Sequence, residues 1–133
     1  MANSVRGEFE VKLAQLPTHD TSEGSLLGRR SIDKTFHGGL SATSVGEMLS
    51  AETAVKGSAG YVAIERVTGL LDGKAGSFVL MHTGIMDRGV PSLTVQVVPD
   101  SGTEDLTGLT GTMVIEITAG KHFYVFEYAL PVG

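Results

Sequence analysis

The chain has no cysteine, no excess of basic side chains and no long apolar run, and each lack closes off a class of protein. Without cysteine there can be no disulfide framework, thiolate nucleophile, iron–sulfur cluster or cysteine zinc site. Ten basic residues stand against fifteen acidic ones, a formal charge of −5 at pH 7. A broad positive surface for phosphate backbones is therefore not expected, and no nucleic-acid partner is assigned. No stretch approaches the roughly 18 apolar residues of a membrane-spanning helix. The opening MANSVRGEFEVK carries charges where a secretory signal would be apolar. No membrane partner is expected, and the default location is the cytoplasm.

What is present suits one compact domain, 1–133: 41% hydrophobic and 19% charged residues exclude disorder, and 18 glycines are roughly twice the usual share. The organisation is alternation at period 2, broken by glycine-rich or Pro/Asp/Ser-rich turns. Val5 to Leu16 separates polar from apolar residues onto two faces, as a half-buried strand requires. The polar stretch Pro17 to Ser25 reads as an exposed loop. In Leu27 to His37, Arg30, Ile32, Lys34 and Phe36 share one side, and Ser31, Asp33, Thr35 and His37 the other. Tyr61 to Leu71 and Ser77 to Met86 form a hairpin about Asp72-Gly73-Lys74. Ser92 to Val98, Gly111 to Thr118 and His122 to Leu130 complete the pattern, the last two joined at Ala119-Gly120-Lys121.

One stretch competes with this scheme. Ser44-Val45-Gly46-Glu47 is a formal capping box, and Val45 to Val55 contains good helix formers. A glycine in the first turn and the want of a clean apolar stripe argue for strand instead, which makes eight strands. Eight short-looped antiparallel strands left open would expose two edges for aggregation, and closure into an up-and-down barrel removes both. The expected fold is thus all-β: a single eight-stranded antiparallel barrel, whose interior at this size is filled by side chains or holds one small ligand.

Ser31 to Gly38 (SIDKTFHG), Gly46 to Ser50 (GEMLS), Gly60 to Gly69 (GYVAIERVTG) and Gly76 to His82 (GSFVLMH) carry a resemblance, as do Val97 to Thr103, Leu106 to Leu109 and Gly120 to Tyr124. In these segments the chain resembles the bacterial domain-of-unknown-function family DUF3224, whose members look like barrels of the allene oxide cyclase-like type. The resemblance covers nearly everything after Ser25. It implies an eight-stranded barrel, with Val45 to Val55 as strand. It implies no activity, because a shared barrel does not carry chemistry with it.

The sequence assigns no reaction, and whether the protein is an enzyme stays open. Gly69 to Ala75 is one residue short of a phosphate loop and ends in alanine where a hydroxyl should reach magnesium. His19, His37, His82 and His122 are too scattered for local ligand spacing, so no metal and no cofactor are assigned. Five residues are candidates for ligand binding: His37, Glu47, Tyr61, Glu65 and His82. Glu65 and Arg66 are adjacent on a strand and point to opposite faces. Glu65 is either a carboxylate inside the apolar barrel, costly unless paired and with a raised pKa useful to a general acid or base, or one half of a cross-strand ion pair on the outer wall. His82 shares its face with Phe78, Leu80 and Met86, whereas His37 lies on the polar side of its strand. Each imidazole either meets a ligand or donates to a backbone carbonyl. Met48, Met81, Met86 and Met113 offer adaptable surface to a lipid-like ligand, or fill an ordinary core.

The functional expectation is a small apolar or amphipathic ligand in or at the mouth of the barrel. The alternatives are an acid–base isomerase or cyclase, and a filled barrel that serves as an oligomer surface. Strands such as Phe78 to Met86 and His122 to Leu130 are largely apolar on both faces, so a homo-oligomer, dimer or trimer, is expected.

Overall fold

The computed structural model describes residues 3–132. Eight strands, β1 (Asn3–Gln15), β2 (Leu27–Phe36), β3 (Leu40–Glu52), β4 (Ala59–Leu71), β5 (Lys74–Asp87), β6 (Val90–Val97), β7 (Thr110–Thr118) and β8 (Lys121–Ala129), pair in sequence order. All neighbours are antiparallel and β1 pairs with β8, from Asn3 opposite Tyr128 to Phe9 opposite His122, which closes the barrel. The fold is all-β, with one 3₁₀ turn at Glu104–Leu106 and no helix long and apolar enough to cross a membrane among the described residues.

The local chemistry explains the connections. Asp72-Gly73, Arg88-Gly89 and Ala119-Gly120 all have positive φ, the backbone of a two-residue hairpin turn whose twist matches its flanking strands. The stretch that carries a formal capping box is strand: Leu40, Ala42 and Ser44 face inward while Ser41, Thr43 and Val45 face out. Pairing on both sides, with β2 over ten residues and β4 over thirteen, outweighs the local helix preference.

The two ends of the barrel differ. Towards the β2–β3, β4–β5 and β6–β7 connections the lumen is packed shut by Phe36, Leu40, Leu71, Phe78, Tyr124 and Phe126. Leu106 and Leu109, from the segment between β6 and β7, complete this plug, and their burial compensates the thinnest seam of the barrel, where the register between β6 and β7 is the single pair Gln96–Thr112. Phe78 stacks on Phe126 at 5.7 Å between centroids. The Tyr124 hydroxyl donates to the His37 carbonyl at 2.7 Å and accepts from the Leu40 amide at 3.0 Å, tying β8 to the β2–β3 turn. Towards the other connections the lumen stays open.

Candidate functional site

Four consecutive strands each place one polar side chain in the lumen where the plug ends: Lys34 on β2, Ser44 on β3, Glu65 on β4 and His82 on β5. The register makes them neighbours. Lys34 lies opposite Ser44, Glu65 opposite Gly46, and His82 opposite Ala63, one inward position from Glu65. Gly46 has to be glycine at this point, because a Cβ there would overlap the Ile64 carbonyl and the Glu65 backbone. Its absence lets β3 close over the strand that carries the carboxylate.

Glu65 is fully buried, and Lys34 and His82 are 8% and 4% exposed. The carboxylate is the hub. Its Oε2 accepts from Lys34 Nζ at 2.8 Å and from His82 Nε2 at 2.5 Å, and its Oε1 accepts from the Ser44 hydroxyl at 2.7 Å. Phe9 and Phe36 flank the Lys34 ammonium, their ring centroids 4.8 and 5.7 Å away, so its remaining charge faces aromatic quadrupoles. Burial pushes the Glu65 carboxyl upward. The hydrogen bond from His82 and the charge of Lys34 outweigh that and hold it down at about 2, so the raised value expected of a buried carboxylate is overturned and the group is ionised at neutral pH.

Above this cluster the lumen holds a cavity of about 190 Å³, lined by the aliphatic side chains of Val11, Ile32, Met48, Leu93 and Ile115 and by the polar groups of Lys34, Tyr61, His82 and His122. A second space of about 340 Å³ opens outward from it at the rim of β3 to β6. Met48, Tyr61 and Leu93 border both, and so form the neck between them. Tyr61 lies opposite Gly84, and a Cβ there would run into its ring. The Tyr61 hydroxyl is harder to ionise than usual, because of burial and the nearby Glu65 charge.

His82 has a free hand in this arrangement. Its Nε2 is committed to Glu65, and among the described residues its Nδ1 has no protein partner. Among the described residues no buried side-chain nitrogen or oxygen is left unpartnered, so Nδ1 is accessible, and His82 lines the cavity. The contact with an ionised carboxylate requires a proton on Nε2.

The five residues singled out in the sequence divide by face. Tyr61, Glu65 and His82 meet at the lumen; the outer-wall alternative for Glu65 is overturned by its burial, and Arg66 faces solvent. His37 and Glu47 are not brought there. His37 is exposed beyond β2 at the packed end, with Nε2 2.6 Å from the Glu10 carboxylate, and Glu47 pairs with Arg29 at 2.6 Å on the outer wall. Period-2 geometry is the reason, since each follows an inward residue, Phe36 and Gly46. Three lumen groups were not singled out: Lys34, Ser44 and His122. Lys34 shares its face with Ile32 and Phe36, and a lysine alternating with two core residues was the legible signal. Ser44 was read only as a helix cap, whereas its hydroxyl goes to Glu65. Among the described residues no group of three or more His, Cys, Asp or Glu is placed to hold a metal ion.

Fold and site together define a class: a small closed β-barrel, plugged at one end, with a compensated charge cluster at the floor of an apolar pocket. The chain belongs to the DUF3224 family, described as a protein family of unknown function, whose model matches residues 5–128. It is similar to a solved DUF3224 protein of unknown function from Shewanella oneidensis MR-1, with 54% sequence identity over 100% of both chains and a TM-score of 0.94. Comparison with curated proteins finds no match.

Proposed function

We propose that the open half of the barrel binds a small, largely apolar molecule carrying one polar group. A single observation carries this reading: an apolar pocket that ends on a buried imidazole with one nitrogen uncommitted. Pockets for small molecules are mostly apolar with a few placed polar groups, and the chamber, neck and rim follow that pattern. The neck favours an elongated occupant, with a compact polar head below Met48 and Tyr61 and an apolar body above.

A panel of terpenoids, aromatics and short lipids, followed by native mass spectrometry and melting temperature, tests it. Bound mass together with a raised melting temperature is expected for some members, and Ala63→Leu, which fills the inner chamber, should abolish both. A panel that leaves mass and melting temperature untouched would remove the reading.

Acid–base isomerisation is a second reading, favoured by the Glu65–His82 pair, in which a buried carboxylate orients an imidazole that faces the pocket. It requires turnover, and His82→Asn should eliminate turnover while a ligand still binds.

We further propose that two copies associate through the outer wall of β3 and β4. Val45, Leu49, Val62 and Ile64 are exposed there, 61%, 55%, 49% and 55%, more aliphatic surface than a solitary barrel needs. Asp33 and Arg66 flank Val45 from the two adjacent strands, so a twofold axis near Val45 would set each acid against the partner's base.

A further inference from the structure

The binding reading says that a polar group sits at the pocket floor. The hydrogen bonds there go further and specify its kind. Glu65 is ionised and can only accept, so the His82 nitrogen that meets it must carry the proton, and Nε2 is that nitrogen. Lys34 already supplies the counter-charge to the one carboxylate of the cluster, so the cluster requires no charge on the ring. A neutral ring protonated at Nε2 presents a lone pair at Nδ1. Tyr61 and His122 also line the chamber, and they leave the lone pair at His82 Nδ1 for the occupant to meet; the groups around the carboxylate are already engaged. The Lys34 ammonium is taken up by Glu65 and by the faces of Phe9 and Phe36, and Ser44 donates to Oε1.

We infer that the occupant of the inner chamber is a hydrogen-bond donor, an alcohol or phenol whose hydroxyl is given to His82 Nδ1, rather than a ketone, ether or carboxylate. The inference rests on the binding reading and narrows it. A carbonyl oxygen at this place would set its lone pairs against that of Nδ1 in a site shielded from water, where an unmatched acceptor is costly. The apolar lining above, Val11, Met48 and Leu93 among it, suits a ring or short hydrocarbon body bearing that hydroxyl.

Two matched pairs serve as probes: cyclohexanol with cyclohexanone, and 1-indanol with 1-indanone, each titrated into the full chain and followed by NMR. The alcohols should bind roughly tenfold more tightly than their ketones, the size of one well-made hydrogen bond. Long-range proton–nitrogen spectra should place the His82 proton on Nε2 in the free protein, and its Nδ1 resonance should move with alcohol and not with ketone. Ketones that bind as well as alcohols, or a proton found on Nδ1, would overturn this inference and leave the binding reading standing. If none of the four moves the methyl signals of the chamber, while the wider panel also gives neither bound mass nor stabilisation, both fall together. As a variant, Lys34→Met with Glu65→Gln keeps the charge balanced and should reduce the alcohol preference by loosening the hold on the tautomer. A preference unchanged in that variant would count against the role given to the carboxylate.

Discussion

At the scale of single residues, the Lys34–Glu65 pair sets the energetics of the lumen. A buried ion pair adds little over an apolar pair of the same shape, but removing one partner strands the other charge out of water. Glu65→Gln and Lys34→Met alone should each cost about 3–5 kcal/mol in denaturant melts, and the double variant far less than their sum. Additive losses would mean that the two groups are not coupled. The same pair gives a pH signature. The carboxyl of Glu65 is lowered from 4.5 to about 2, so its contribution to stability is complete above the unfolded value and is lost as pH falls through the folded one. Stability should therefore decline between about pH 5 and pH 2 by on the order of 3 kcal/mol from this group, and the slope over that window should flatten in the double variant. Urea titrations at half-unit pH intervals read it directly.

At the scale of elements, β3 and β4 position the site. Gly46 allows β3 to lie against Glu65, and Gly46→Ala would press a methyl group on the Ile64 carbonyl. Overpacking of this kind costs about 1–3 kcal/mol, and the displaced strand also carries Ser44. The expected result is a lower melting temperature together with altered His82 ring signals. A variant with native stability and native signals would mean that β3 has more freedom than its register implies. Gly73→Ala is the control: its turn has a positive φ but nothing within 4 Å of a new Cβ, so only the backbone cost of about 1–2 kcal/mol applies and the His82 signals should not change.

At the scale of the whole molecule, closure joins a packed half to an open half. The plugged end carries the aromatic packing and the open end the pocket, so stability and binding can be varied separately. Sedimentation of the 13.9 kDa chain should show concentration-dependent dimers if the outer wall is a contact surface. Val45→Asp should shift the chain to monomer without lowering its melting temperature, since Val45 faces away from the core. A chain that remains monomeric at high concentration would remove that proposal and leave the pocket unaffected.

The amino-acid order by itself determined seven of the strands, the hairpins and which residues share a face, whereas β3, with its local helix preference, was settled by pairing with β2 and β4. These follow from period-2 alternation and from turn residues such as Asp72-Gly73, both local properties of the chain. It also marked Tyr61, Glu65 and His82. It did not determine which face was inside: Glu65 and Arg66 were equivalent until closure buried one, and His37 and Glu47, marked with equal weight, went outward. Nor did it bring Lys34 to Glu65, 31 positions away. That meeting depends on the stagger of β2, β3 and β4 around the barrel, and stagger is fixed by the pairing of all eight strands at once. Only the tertiary structure could therefore turn scattered polar residues into one charge cluster, because a charge is tolerated in a lumen only where closure also delivers its counterion.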